Sequence, residues 1–442
     1  MVYELLKVIL GEKNPTDRDH YKFKRVETSG NLMKQLFSEY ADIMYKKYFV
    51  NIDSEFYFQQ SMYDNQSNDI DVATSQDTFK KLIVVNYHKL FEDKIIYQGF
   101  KKAFKGNWGS ASHTKKIGVI QPLNRLSYNS FLSHLRKVNL NINDSANIVE
   151  PHLLHGSQWG IIDPVDTPDG GNVGFHKHMA MMTKITHNID ENKLTNWLFE
   201  NINSPKLKLK TIENSYSYEL HNFTKVFVNG KIIGICNNPI QFKKIILDAR
   251  RLNFIPIYIS IAFEYKDNNI FLCCDEGRLI RPILYVKNNT LSYEDNDILK
   301  NKNFTWSHCI YGNFNNRKVS NNKDFININV KDLEVNKSSI IEYLDKNEEE
   351  SSLICMNPEA FKNGINYKYT HCEIHPSMIF GVMGSQVIFP EHNQLPRDLF
   401  SCGQSKQAAS LYHSNFLNRI DKTGILLNYG DIPIVKVKCS NI

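Results

Sequence analysis

The chain has no C-x-x-C pair anywhere in its 442 residues, and its eight cysteines are scattered, so neither a zinc ribbon nor a disulfide framework is signalled. Reduced, structural thiols are the expectation. No G-x-x-x-x-G-K-[ST] phosphate loop occurs, and Ser157 in HGSQWG lacks the spacing of a nucleophile elbow. His371, Glu373 and His375 are ordered H-x-E-x-H, not H-E-x-x-H, and Pro376 disfavours helix at His375. A packed or turn-forming pair is the better reading. Long apolar runs are missing too. The opening MVYELLKVILGEK is too short and too interrupted for a signal peptide or a membrane span. Charge of one sign is also scarce: the net charge is only +6, so any nucleic-acid contact must come from local patches. With 42% hydrophobic residues the chain can bury a substantial core, in about three domains or lobes.

What is present begins with the loop WGIIDPVDTPDGGNVG, Trp159 to Gly174. Pro164 and Pro168 fix φ and remove donors, while Gly160, Gly170, Gly171 and Gly174 permit conformations other residues resist. A rigid loop is predicted. It carries Asp163, Asp166 and Asp169 at spacing three, which is wrong for an EF-hand. From composition alone, aspartates capping their own backbone are the better reading.

Residues 31–105 alternate helical and strand-like patterns, broken by a polar stretch from Tyr63 to Asp71. KKAFKGNWGSASHTKK, Lys101 to Lys116, sets lysines around a Gly-Trp-Gly core; a solvated basic loop is the plain reading. A helix is predicted from Leu123 to Val138, with His134, Arg136 and Lys137 in its last turn, where cations favour the carbonyl end. Asn139 to Val149 is polar, free of Arg and Lys, and expected to be an exposed loop. Residues 205–370 read mostly as β-structure. Asn229-Gly230 between VFV and KIIGI is a tight-hairpin signal, and ISIAFEY, KDNN, IFLCC repeats it with a longer turn. One helix is expected near Ser338 to Tyr343. In a helix opened by Pro396, Arg397, Phe400, Gln404 and Gln407 share one face, with Lys406 on the opposite one. A guanidinium grips phosphate oxygens, a ring supports a base or sugar, and amides bond RNA edges or 2′-hydroxyls; an ordinary polar helix face is the alternative.

The Trp159–Gly174 loop and HPSMIFGVMGSQVIFPEHNQLPRDLFSCGQSKQAA, His375 to Ala409, resemble the second-largest subunit of multisubunit RNA polymerases. So do TDRDHYKFKRVETSG, GNWGS, LNRLSYNSFLSHLRKVNL, KVFVNGKIIG and DEGRLIRPILYV, in family order. The resemblance implies an α+β multidomain fold: a protrusion-like remainder over 1–105, a fork-like part over 106–185, β-rich external domains over 186–370, and the start of a hybrid-binding domain over 371–442. It places the matches of Arg397 and Phe400 beside the incoming triphosphate, and those of Lys406 and Gln407 near RNA; Gln404, on the Gln407 face, is a nucleic-acid-binding candidate by spacing. It also implies phosphate contacts by Lys102, Lys105, Lys115 or Lys116 in the fork-like segment; Gln121, His134 and Arg136 are further nucleic-acid-binding candidates. Asp166 stands where many relatives carry Glu, and is expected to orient basic side chains. Phe400 replaces a tyrosine common in the eukaryotic form. The implied reaction is in-line phosphoryl transfer with magnesium held mainly by the largest subunit. Implied partners are that subunit, other polymerase subunits, template DNA, product RNA and nucleoside triphosphates, with no membrane. The chain matches the middle of such a subunit, so a split gene or a truncated piece is expected; a non-catalytic module that binds nucleic acid or polymerase subunits is the competing function. The Asn- and Lys-rich composition, with Asp163 where cellular relatives often carry Cys, resembles polymerases of large cytoplasmic DNA viruses, which implies virion and host cytoplasm, and otherwise the nucleus.

Overall fold

The computed structural model describes residues 2–64, 76–140, 148–201, 209–294, 305–312, 338–363 and 368–408. Helices and several mixed sheets make it an α+β fold in two compact units, one of residues 27–123 and the other of 1–26 with 124–442. Among the described residues, no helix is long and apolar enough to cross a membrane.

In the unit of 27–123 a helix, Ser29–Asp64, packs on a second, Ile95–Phe104. Gly99 permits the approach, because a Cβ there would sit 2.6 Å from the Tyr40 ring. Leu36, Tyr40, Ala103 and Trp108 form the core, so the GNWGS segment folds with the helices before it. Glu39 secures that segment by accepting from Ser110, Ala111 and Thr114. The strand-like pattern expected within 31–105 is not realised: the described residues there form helices and turns, and aromatic residues such as Tyr45, Phe49 and Tyr57 lie on a helix. The predicted polar break falls partly within helix, which runs through Asp64, and its remainder lies outside the described residues.

The larger unit holds two main sheets. The first runs Leu209–Thr211, Lys231–Cys236, Thr224–Val228, Asn269–Cys273, Ser260–Glu264. Asn229 (φ 47°) and Gly230 (φ 83°) make the tight turn between the second and third of these strands, as the sequence predicts. The KDNN turn joins Ser260–Glu264 to Asn269–Cys273 in antiparallel register. Helix Pro239–Arg251, capped by the Asn238 side chain on Gln241 N, covers this sheet with Phe242, Ile246 and Ala249. Residues 205–370 are therefore less purely β than their sequence suggests.

In the second sheet the central strand, Leu279–Lys287, pairs with Lys184–Ile185, Ile341–Asp345, His371–Cys372 and Thr290–Leu291. The helix expected at 338–343 is instead the strand Ile341–Asp345, buried on both faces. Its polar residues are matched by distant arginines. Glu342 binds Arg250 at 2.7 Å and Arg251 at 3.0 Å, and Asp345 binds Arg278 at 3.0 Å. Arg250 also reaches Glu348 at 2.7 Å and the Ile259 carbonyl at 2.8 Å. The two glutamates hold its charge in place against the cost of burial.

Candidate functional site

The acidic loop is tied to this second sheet at its start. Arg281 grips Glu373 and Glu349, each at 2.7 Å, and Lys346 donates to the Trp159 carbonyl at 2.7 Å. Gly160 (φ 68°) must be glycine, since a Cβ would lie 2.6 Å from the Arg281 guanidinium. Farther along, the buried Asp163 carboxylate accepts from Val165 N (3.0 Å), Gly381 N (2.8 Å) and Gly384 N (3.1 Å). Burial raises its pKa, while these three donors oppose the rise. Asp163 thus joins the acidic loop to the HPSMIFGVMG segment, and both glycines face it without room for a methyl group. Asp169 caps Gly170 N at 2.9 Å. Two of the three aspartates serve backbone, as composition suggests; Asp166 does something else.

Asp166 is buried and paired with Lys406, Nζ to Oδ1 2.5 Å. His178 adds a third member, with Nδ1 2.8 Å from the Asp166 carbonyl oxygen and 3.3 Å from Oδ2, and Nε2 3.4 Å from Lys406 Nζ. Burial pushes the Asp166 carboxyl up and the Lys406 ammonium pulls it back. Burial, helped by Lys406, drives His178 down to about 4. Lys137 is half-buried beside the same ions, and desolvation with the Lys406 charge lowers its pKa. His178 follows from no motif: it lies in the short strand His176–His178, which pairs with Lys137–Asn139. That pairing sets it beside Lys137, and the bridge of Ile162 with Met179, with Asp163 N donating to the His178 carbonyl at 2.8 Å, brings it to Asp166.

Lys406 lies near the end of helix Leu395–Gln407, where Pro396 is the second helical residue. Asp398, Leu399 and Cys402 face inward, Cys402 packing with Val165 and Met383. Arg397, Phe400, Gln404 and Gln407 are exposed on the outer face. Among the described residues the Arg397 guanidinium has no hydrogen-bond or ionic partner.

The remaining candidates are dispersed. Helix Tyr128–Leu135 begins five residues later than the sequence predicts, at a capping box built by Ser127 and Ser130. Arg136 and Lys137 therefore fall outside it. Arg136 donates to the carbonyls of Ala180, Met181 and Thr183, bracing the chain after the acidic loop. His134 Nδ1 accepts from Asn124 N at 3.2 Å. Ser127 Oγ donates to the Lys406 carbonyl at 3.2 Å, which joins this helix to Leu395–Gln407. Lys105 and Gln121 belong to the unit of 27–123; Lys105 is exposed and Gln121 donates to Gly118 O at 3.0 Å. Lys116 there is paired with Glu27 at 2.7 Å. In the predicted loop after Asn139, residues 141–147 lie outside the described residues.

Two other constellations are structural. His371 faces Glu342 at 3.3 Å, Glu373 is held by Arg281, and His375 caps Ser377 N, so the H-x-E-x-H string is packed and turn-forming. Asp17, His155 and Ser157 form a hydrogen-bonded chain of 2.7 and 2.6 Å, but the Ser157 oxygen is buried and accepts from Tyr21 N. It anchors the DRDHYKFKR segment.

A magnesium ion finds no seat in this arrangement. The Asp163 oxygens accept from three backbone amides and Asp166 is paired with Lys406. Among the described residues no cluster of three His, Cys, Asp or Glu could hold a metal.

Comparison with known proteins agrees with the motifs and their order. Residues 121–185, 226–287 and 333–376 match the family models described as RNA polymerase Rpb2 domains 3, 4 and 5. The chain is 32% identical to DNA-directed RNA polymerase II subunit RPB2 of Encephalitozoon cuniculi, covering 99% of this chain and 34% of that protein. It is 29% identical to subunit Rpo2 of Sulfolobus acidocaldarius, with 99% and 34% covered. Against DNA-directed RNA polymerase subunit 2 of Acanthamoeba polyphaga mimivirus the identity is 28%, with 100% and 35% covered. Three consecutive domains matched in order, with relatives from eukaryotes, archaea and a virus aligned along the whole chain, mean that this protein belongs to the family of second-largest subunits of DNA-directed RNA polymerase, of whose length it spans about a third.

Proposed function

We propose that the chain works as part of a DNA-directed RNA polymerase, in which helix Leu395–Gln407 presents its outer face to the incoming nucleoside triphosphate and the RNA–DNA hybrid. One observation carries this reading. Arg397 is exposed, and unpaired among the described residues, on a helix whose inner side is fixed to the acidic loop through Cys402 and the Lys406–Asp166 pair. A cation on a fixed support, with no internal role, suits an anionic ligand.

In this proposal Arg397 binds the triphosphate and stabilises charge that develops on the leaving pyrophosphate. Phe400 supports a base or sugar by contact, and Gln404 and Gln407 offer amide bonds to RNA. Asp166 holds Lys406 near the nucleic acid and takes no proton. The proposal leaves magnesium mainly to the largest subunit, and the engagement of Asp163 by backbone amides and of Asp166 by Lys406 supports it. The relatives' names support assembly with other polymerase subunits. The setting in this proposal is the virion and host cytoplasm if the chain is viral, and otherwise the nucleus; similarity to both viral and eukaryotic subunits fits either.

The test is templated RNA synthesis by complexes purified through a tag on this chain from its native setting, with Arg397→Ala and Arg397→Lys beside it. Activity that falls at least tenfold in Arg397→Ala, and is only partly kept by the lysine that lacks the planar fork, is the expected result. Synthesis indifferent to Arg397, or a soluble chain that captures neither partner nor activity, replaces this reading with the binding-module alternative.

A further inference from the structure

We propose that His178 is a positioning residue: as the neutral Nδ1–H tautomer it holds the Lys406 ammonium against Asp166 and so aims the remaining N–H at a phosphate oxygen of bound nucleic acid. The inference rests on the placement of Lys406 at nucleic acid proposed above.

The hydrogen-bond geometry fixes the tautomer. Nδ1 lies 2.8 Å from the Asp166 carbonyl oxygen, which can only accept, so Nδ1 carries the proton. Nε2 then bears the lone pair, and it faces Lys406 Nζ at 3.4 Å. An ammonium has three N–H donors and no acceptor. One goes to Asp166 Oδ1 and one to His178 Nε2, which leaves the third without a partner among the described residues. Asp166 alone would leave the ammonium free to turn about that single contact; a second acceptor removes this freedom.

The charges around the ring agree. His178 is buried and faced by Asp166, Asp163, Lys406 and Lys137. Asp163 accepts from three backbone amides, so Asp166 is the carboxylate that takes the Lys406 ammonium directly. A protonated imidazole would put a third cation there and turn its Nε2 into a donor facing a donor. With His178 neutral, the Lys406 and Lys137 ammoniums stand against the Asp166 and Asp163 carboxylates, and no further cation is buried among them. Lys406 is 21% exposed, open enough for a phosphate contact.

The test uses the full chain and a fluorescein-labelled RNA–DNA hybrid as the probe, titrated at several salt concentrations. Lys406→Ala should weaken binding and reduce the slope of log K against log salt by about 1. His178→Asn keeps a donor near the Nδ1 position but loses the Nε2 acceptor, and should weaken binding about threefold to tenfold. His178→Gln can return an oxygen toward Lys406 and should bind within about twofold of wild type, a rescue that a purely structural role does not predict. Adding His178→Asn to Lys406→Ala should cause no further loss. If Lys406→Ala weakens binding while His178→Asn does not, the positioning role is overturned and the nucleic-acid reading stands. Should wild type and Lys406→Ala bind alike, it is the nucleic-acid reading that fails. Imidazole 15N shifts of His178 in the wild-type chain decide the tautomer even if a variant does not fold: Nδ1–H at neutral pH is expected, and Nε2–H or a doubly protonated ring overturns the proposal.

Discussion

Replacing Asp163 by alanine should destabilise the larger unit more than almost any other single change in the acidic loop. Its carboxylate, 3% exposed, accepts from Val165 N, Gly381 N and Gly384 N at 3.0, 2.8 and 3.1 Å. Alanine leaves three buried amide donors unpaired, each costing about 1–3 kcal/mol. Relief of the buried charge, visible in the raised pKa, offsets part of this, so the net loss is about 3–5 kcal/mol. The same geometry makes a sharper prediction. A Cβ at Gly384 would lie 2.5 Å from both Asp163 oxygens, so Gly384→Ala should be costly in the wild type. In the Asp163→Ala background those oxygens are gone, and the methyl group has space. A double-mutant cycle by urea unfolding should therefore give a coupling of about 1–3 kcal/mol, with the double mutant more stable than the sum of the singles. Additive losses, or an Asp163→Ala cost below about 1 kcal/mol, would refute the idea that this carboxylate clamps the two segments together.

Other perturbations read other parts of the unit. His178 takes a proton near 6.5 when unfolded and only near 4 when folded, so the unfolded state holds more protons between these values. Stability should thus fall as pH drops from about 6.5 to about 4, by about 3 kcal/mol, and His178→Gln should remove that component from the pH dependence of urea midpoints. Arg250→Met leaves Glu342 and Glu348 buried without their shared partner and should cost about 3–5 kcal/mol in thermal or chemical unfolding. Arg397→Ala should leave stability within about 0.5 kcal/mol of wild type, because the side chain is exposed and has no partner among the described residues; a larger loss would give it a structural role.

Local chemistry made some of this fold readable. Asn-Gly at 229–230 specifies its turn because both positions need positive φ, and the proline–glycine content of 159–174 specifies a fixed loop. Ile341–Asp345 misleads because Glu342 and Asp345 look like surface residues until Arg250, Arg251 and Arg278 come to meet them from far along the chain. Burial that depends on remote ion pairs has no local signature. The helices of 27–123 mislead differently: their aromatic residues favour strand locally, and packing such as Gly99 on Tyr40 decides otherwise. At the site, the exposed face of Leu395–Gln407 follows from spacing alone. The Asp166–Lys406 contact does not, since it joins positions 240 residues apart, and His178 enters through backbone pairing with the Lys137 strand and with the start of the acidic loop.

The site therefore divides by energetic role. Asp163, Arg281 and Cys402 are buried where loss exposes or orphans neighbouring groups, so their variants should fail in folding before they fail in function. Arg397, Phe400, Gln404 and Gln407 contribute little to the fold that the described residues reveal, yet they stand together on the outer face of a helix fixed from behind. Lys406 is in both sets, held by Asp166 and His178 and still 21% exposed. A defect in binding at Lys406 thus has two possible origins, a lost contact or a released neighbour. Asp166→Asn separates them: it keeps the shape and an acceptor but drops the charge that holds the ammonium, so loss of hybrid binding with the lysine intact assigns the effect to orientation.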